Sequence, residues 1–279
     1  MSRTIRVAHS PDSDDAFMFY ALASGKIDTD GLRYEHELAD IESLNQRARR
    51  CELDVSAVSI HAYAYLARDY ALLNSGSSMG DGYGPRLVSR TAPPGDARAA
   101  ARGQRIAVPG LLTTAYLALR LWQPEFEAVV TPFDRIEDAV RERTADLGLL
   151  IHEGQLTYAD QDLQLWADLG AWWLADTGLP LPLGGNVVRR DLGREVIEQI
   201  ARDLRASIVY ALEHRADALR HAARFNRGIS DERTDEFVGM YVNDWTVDYG
   251  QRGQAAVRLL LDRAAEAGVI PHRVDVEFV

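Results

Sequence analysis

The run Ala145-Asp146-Leu147-Gly148-Leu149-Leu150-Ile151-His152-Glu153 sets a titratable imidazole directly after a short apolar segment. Leu147–Ile151 has the composition of a strand buried on both faces of a parallel sheet. Open α/β sheets bind ligands beyond the carboxyl ends of such strands, and histidine titrates near neutral pH. His152 is therefore a candidate functional residue, although a lone histidine also serves as a packed or solvated side chain. The pair His152-Glu153 begins like the zinc motif H-E-x-x-H. Position 156 is Leu, however, and the other six histidines keep no ligand spacing with His152, so no metal is expected.

Other chemistry-bearing residues stand at similar junctions. Thr113 and Thr114 open an Ala/Leu-rich stretch, where threonine is an ordinary N-cap. Hydroxyls and free N–H groups at a helix start also hold an anion such as a carboxylate, and the two uses are compatible. Ser56 and Ser59 pose the same choice at the end of Val55–Val58. Asp12, Asp14 and Asp15 are read as helix caps or ligand contacts, their charge suiting a helix N-terminus either way. Trp172-Trp173, with Tyr158 and Trp166 nearby, offer a stacking surface, but tryptophans more often pack. Gly76-Ser77-Ser78-Met79-Gly80 matches the G-x-S-x-G string of a nucleophile elbow, which needs a helix straight after the serine. The chain instead continues Asp81-Gly82-Tyr83-Gly84-Pro85 into a strand-like Leu87–Ser89, so a flexible loop is expected there. The same glycines make neither a dinucleotide fingerprint nor a P-loop.

The elements that must position these residues follow a repeated pattern. Four short apolar strands (Thr4–Ala8, Val55–Val58, Arg105–Val108 and Leu147–Ile151) each end in a polar or glycine-bearing turn. Helical stretches follow the first three, from Ala16 to about Ser24, over Ile60–Arg68 with Ser59 as N-cap, and from Thr113 to about Trp122. Strands alternating with helices predict a parallel α/β sheet. Breaker clusters at Thr91–Asp96 and Leu179–Gly185 bracket about one small domain. After them come a strand Asn186–Arg189, a long helix from Arg194 to about Phe225, helices near Asp231–Val242 and Gly250–Ala267, and a strand-like Arg273–Val279. The economical architecture has two lobes with the chain crossing twice. Residues 1–89 and 188–279 form one lobe, and 90–187 form the other, with a ligand cleft between them.

Composition limits the partners. The chain has 279 residues, 31 Lys and Arg against 42 Asp and Glu, and a net charge of −11. Neither nucleic acid nor an anionic membrane is an expected partner, and an anionic small ligand would need local donors. No segment approaches the ~18 uninterrupted apolar residues of a membrane span, and the first residues lack a signal-like apolar run. Cys51 is the single cysteine, so no intrachain disulfide forms, and a reducing cytoplasm is the expected address. Oligomeric state is left open.

Taken together, several segments resemble the 1,4-dihydroxy-6-naphthoate synthase family of the futalosine route to menaquinone. They are Ser10-Pro11 with Asp15 and Phe17, Asp40-Ile41-Glu42-Ser43-Leu44-Asn45, Gly84-Pro85, Val108-Pro109-Gly110 with Thr113-Thr114-Ala115-Tyr116, and Leu149–Glu153. Asp168–Trp173, Thr177–Gly184 and Tyr241-Val242-Asn243 complete the set, which runs nearly end to end. The resemblance implies the two-lobed fold of type-II periplasmic solute-binding proteins. It also implies a carbon–carbon lyase that converts cyclic dehypoxanthine futalosine, a small anionic bicyclic substrate, without metal or organic cofactor. The family's general base lands on His152. Its ligand-binding turns land on Thr113, Thr114 and Ala115 and on Ser56, Ala57, Val58 and Ser59. The first loop departs from the family's common Ser-Pro-Cys-Pro-Asn-Asp-Thr. It reads Ser10-Pro11-Asp12-Ser13-Asp14-Asp15-Ala16, so its substrate contacts are expected to differ. The alternative is a non-catalytic solute-binding protein of the same fold.

Overall fold

A computed structural model describes residues 3–225 and 230–279. Met1, Ser2 and residues 226–229, which the expected first lobe includes, lie outside the described residues. Two mixed sheets organise the chain. The first takes β1 (Arg3–His9), β2 (Leu32–Leu38), β3 (Val55–Ser59), β4 (Tyr70–Leu72), β5 (Ser78–Gly80) and β11 (Leu181–Arg189). Its order is β2-β1-β3-β11-β4, with β5 paired to the start of β11. The second takes β6 (Arg86–Ser89), β7 (Arg105–Val108), β8 (Glu127–Val130), β9 (Leu147–Leu150) and β10 (Gln164–Asp168), in the order β10-β6-β9-β7-β8.

The expected purely parallel sheet is corrected on one point. β1 runs parallel to β2 and β3, and β7 to β8 and β9, as the strand–helix alternation requires. β11 and β6, the strands that enter each sheet from the other, run antiparallel to their neighbours. A chain that leaves one sheet and returns to it arrives from the opposite end.

The boundaries move for the same reason. Residues 86–89, placed with the first lobe on sequence grounds, pair with β9 and β10 in the second sheet. Residues 181–187, placed with the second lobe, pair with β3, β4 and β5. The Thr91–Asp96 cluster bends the chain after it has crossed. The Pro-Gly run over 179–185 is largely strand, with a register shift between Pro182 and Gly184 absorbing the missing donor. Both crossings therefore fall a few residues before the breaker signals.

Helices cover the sheets through apolar stripes. Arg194–Glu213 buries Ile200, Leu204, Ile208 and Ala211, one face at helical spacing, against the first sheet's core. The long helix expected to Phe225 breaks at His214, with Arg215–Ala222 following. The stretch Ala16–Ser24 is likewise two pieces, Ser13–Met18 and Tyr20–Ala23, and Ile60–Arg68 is helical only over Ile60–Tyr63. Arg273–Val279 forms no ladder beyond a single bridge from Leu72 to Phe278. Among the described residues no helix is long and apolar enough to cross a membrane.

The outgoing crossing packs against the helix Leu169–Thr177, and Gly170 is the contact point. A Cβ there would lie 1.8 Å from the Tyr83 carbonyl oxygen, a backbone atom that cannot swing aside. Gly170→Ala is expected to cost about 1–3 kcal/mol. Denaturant unfolding measures it, and a change below ~0.5 kcal/mol, the range of an indifferent site, would contradict the packing.

Candidate active site

The facing ends of the two sheets line a pocket with about 780 Å³ of space, part of it open to solvent. Its walls divide by chemistry. One carries Ser10, Asp12, Asp14 and Asp15 from the loop after β1, facing His152 from the loop after β9. The other carries Ala57, Val58 and Ser59 at the end of β3 with Thr113, Thr114 and Ala115 at a helix start. Among the described residues no Lys or Arg lines it. Among the described residues no three His, Cys, Asp or Glu side chains are grouped to hold a metal ion.

His152 sits just past the fully buried β9, with its backbone in the left-handed region at φ 64°. That conformation costs a β-carbon-bearing residue about 1 kcal/mol or more, and it is held here by tertiary contacts. The ring lies edge-on to Phe133, with centroids 4.4 Å apart. Nδ1 is 2.9 Å from Asp12 Oδ2, with the aspartate buried and the histidine largely so. Nε2 is buried with no hydrogen-bond partner among the described residues. Sequence reasoning took Asp12 as a cap or ligand contact. It does occupy the N-cap position of Ser13–Met18, yet its side chain makes no cap bond and turns to the histidine. Its Oδ2 also accepts the Ser10 hydroxyl at 2.6 Å. No pattern in the chain could reveal a pair 140 positions apart.

The helix Thr114–Trp122 starts from Thr113, an extended residue whose hydroxyl accepts the Tyr116 N–H at 3.2 Å and donates to the Gly110 carbonyl at 2.8 Å. It stops before Pro124, as a helix must where the ring of the next residue forbids the α region. Thr114 Oγ1 accepts the His61 N–H at 3.1 Å and donates to the Leu183 carbonyl. Both hydroxyls are thus consumed by structure. The N–H groups of Thr114 and Ala115 have no partner among the described residues, and both residues line the cavity. The donors this turn leaves open are therefore its backbone N–H groups and not its hydroxyls.

Ser59 is the N-cap of Ile60–Tyr63 without a side-chain cap bond. Asn45 holds it instead: Ser59 N–H donates to Asn45 Oδ1 at 2.9 Å, and Asn45 Nδ2 donates to Ser59 Oγ at 3.2 Å. The serine proton is left to face the cavity. Ser56 is not brought to the site. It is fully buried, and its hydroxyl donates to the Ala57 carbonyl at 2.9 Å. The tryptophans are packing residues, with Trp173 in the core and its Nε1 donating to the Pro180 carbonyl.

The segment expected to be a flexible loop, 76–80, is corrected: Ser78–Gly80 pairs with β11. Gly76, Ser78 and Asn186 line the cavity. Asn186 Nδ2 donates to the Gly76 carbonyl at 2.9 Å, while its Oδ1 is buried and unpartnered. Gly76 and Ser78 belong to the rejected elbow string and Asn186 to an expected strand, and neither signal points to the site, because pairing with β11 brings them in. A further contact explains the Val108-Pro109-Gly110 turn. Glu42 Oε2 accepts the Leu112 N–H at 3.2 Å, and a Cβ on Gly110, at φ 156°, would lie 2.4 Å from that oxygen.

The acid wall is not uniformly charged. Burial raises Asp15 to about 7, with the Asp12 charge adding and the Ser10 N–H opposing. Desolvation and then the Asp15, Asp12 and Glu153 charges push Asp14 well above the carboxylate range. A protonated carboxyl donates as well as accepts.

Behind this wall, burial holds His9 down to about 3 and His36 down to about 4. His9 Nδ1 donates to the Ser10 carbonyl at 2.9 Å, and its ring stacks on Phe19 at 4.4 Å. Below pH 6.5 the unfolded chain binds protons that these folded histidines refuse, so their contribution falls as pH drops toward 4. The raised Asp15 acts oppositely, losing its contribution as pH rises through 7. The stability of the unmodified chain relative to His9→Gln is expected to fall by about 1.4 kcal/mol per pH unit between pH 6 and 4. Parallel unfolding curves across that range would contradict a buried neutral His9.

Comparison with known proteins bears on this geometry. A family model described as "Menaquinone biosynthesis" matches residues 5–266. A protein of Streptomyces coelicolor named "1,4-dihydroxy-6-naphtoate synthase" is 39% identical over 278 residues, covering 96% of this chain and 95% of that one. One of Thermus thermophilus with the same name is 38% identical over 265 residues, covering 95% of each. A crystal structure of an Archaeoglobus fulgidus protein superposes with TM-score 0.91 at 48% identity, over 96% of this chain and 98% of that one. The alkanesulfonate-binding protein SsuA of Xanthomonas axonopodis pv. citri superposes with TM-score 0.71 at 11% identity, over 97% and 95%. That second likeness shows the periplasmic-binding-protein-like fold alone.

Proposed function

The chain belongs to the menaquinone biosynthesis family, and on that premise we propose that it is a 1,4-dihydroxy-6-naphthoate synthase. In this reading it is a cytoplasmic carbon–carbon lyase acting on cyclic dehypoxanthine futalosine, with His152 as general base. The observation that carries it is His152, which lines the pocket and whose Nε2 is buried with no hydrogen-bond partner among the described residues. A base that takes a substrate proton leaves an electron pair that bond cleavage can use.

Electrostatics supports one orientation of the ligand. With no cation among the described residues of the lining, a carboxylate is best placed on the N–H groups of Thr114 and Ala115, where the helix start favours negative charge. The Ser59 hydroxyl stands on the same wall. The opposite wall, with Asp14 and Asp15 holding protons more readily than usual, suits hydroxyl and carbonyl groups of the substrate.

Two experiments test the reading. Purified protein incubated with cyclic dehypoxanthine futalosine should release 1,4-dihydroxy-6-naphthoate, with kcat lowered about 10²–10⁴-fold in His152→Asn. Tight binding without product would make the chain a solute-binding protein, and an undiminished mutant would remove the base. For the cradle, Thr114→Pro deletes one N–H at a position that accepts proline, and Thr114→Val keeps that N–H while losing the hydroxyl. KM is expected to be about tenfold or more higher in the proline variant than in the valine variant, the worth of one charge-assisted bond. Equal KM values would place the carboxylate elsewhere.

A further inference from the structure

We propose that Asp12 is the positioning residue of the base, holding the His152 ring across the cavity with Nδ1 protonated so that Nε2 is left as the proton acceptor. The proposal rests on the reading of His152 as base and adds the residue that makes it one.

Four observations meet at this pair. The Nδ1–Oδ2 separation is 2.9 Å between a buried aspartate and a largely buried histidine, one from the loop after β1 and one from the loop after β9. An ionised carboxylate only accepts, so the proton on that contact belongs to Nδ1, and the neutral ring then keeps its lone pair on Nε2. Nε2 has no protein partner that would compete for that lone pair. Asp12 is itself braced: the Ser10 hydroxyl donates to Oδ2 at 2.6 Å, and the Asp12 N–H donates back to Ser10 Oγ at 3.1 Å. The carboxylate gives up the capping bond open to it at the start of Ser13–Met18 in order to face the histidine. When Nε2 takes a proton, the imidazolium forms beside a fixed negative charge and needs no reorganisation to be stabilised.

The pair also joins the two sheets' units. Ser13 Oγ donates to Glu153 Oε1 at 3.1 Å, and Tyr241 Oη donates to Gln155 Oε1 at 2.8 Å, so three contacts tie the His152 loop to the first unit. The base is therefore oriented only where the two walls stand as close as they do here.

Asp12→Asn tests the proposal in the full-length protein, with cyclic dehypoxanthine futalosine as the substrate. Asparagine keeps the shape but can present its amide N–H₂ to Nδ1, stabilising the wrong tautomer. The expected result is a kcat lowered about 10–100-fold, part of the worth of the base itself, with KM within about threefold. Asp12→Glu should recover some of the loss. Nitrogen-15 NMR of the unmodified protein should show His152 as the Nδ1–H tautomer. It should show that tautomer depleted in Asp12→Asn. An active Asp12→Asn beside an inactive His152→Asn would overturn the positioning role and leave the base standing. Full activity in both variants would remove the base, and the proposal with it. An Nε2–H tautomer in the unmodified protein would overturn the proposal even if no Asp12 variant folded.

Discussion

The strand Leu181–Arg189 is the constraint from which the rest of the molecule follows. It pairs with β3, β4 and β5 at once, so the chain's return to the first sheet is locked beside its departure. Two adjacent crossings leave the second sheet few ways to face the first. The end of β3 and the loop after β1 then look across at the loop after β9 and the start of Thr114–Trp122. A cavity between them is a geometric consequence of that pairing. It also explains why Gly76, Ser78 and Asn186, distant in sequence and poor in signal, belong to the same wall.

Given that frame, the cavity's chemistry comes from how hydrogen bonds are used up. Side chains that look like ligands are often spent on structure. Thr113 closes its own helix, Thr114 ties the helix to His61 and Leu183, and Ser56 serves its neighbour's carbonyl. What is left unspent defines the site: two backbone N–H groups, the Ser59 proton, Asn186 Oδ1 and His152 Nε2. Three aspartates crowd the opposite wall, where desolvation raises Asp14 and Asp15 toward neutrality. Among the described residues the lining carries no cation, so the open donors of an acidic protein are its backbone N–H groups.

Much of this was legible from local patterns. Strand-end junctions located His152, the Thr113–Ala115 turn and Ser59, because an apolar run that ends in a polar turn needs no partner to be seen. Apolar periodicity found Thr114–Trp122, Arg194–Glu213 and Gly250–Glu266, but not Ile41–Ala48, Ile136–Arg141 or Leu169–Thr177, nor the breaks at Phe19 and His214. The boundaries failed where Pro and Gly were read as linkers, since Pro182 sits inside a paired strand that a register shift accommodates. The Asp12–His152 contact was invisible, because Asp12's position beside the helix start suits a cap or a ligand contact equally. Only the fold shows that its carboxylate is turned elsewhere.

The most direct measurement is a crystal structure of His152→Asn with cyclic dehypoxanthine futalosine bound. The account predicts the substrate carboxylate on the N–H groups of Thr114 and Ala115, and a substrate carbon bearing a removable proton beside residue 152. A carboxylate lodged against Asp12, or a ligand whose carbons lie beyond the reach of residue 152, would contradict it.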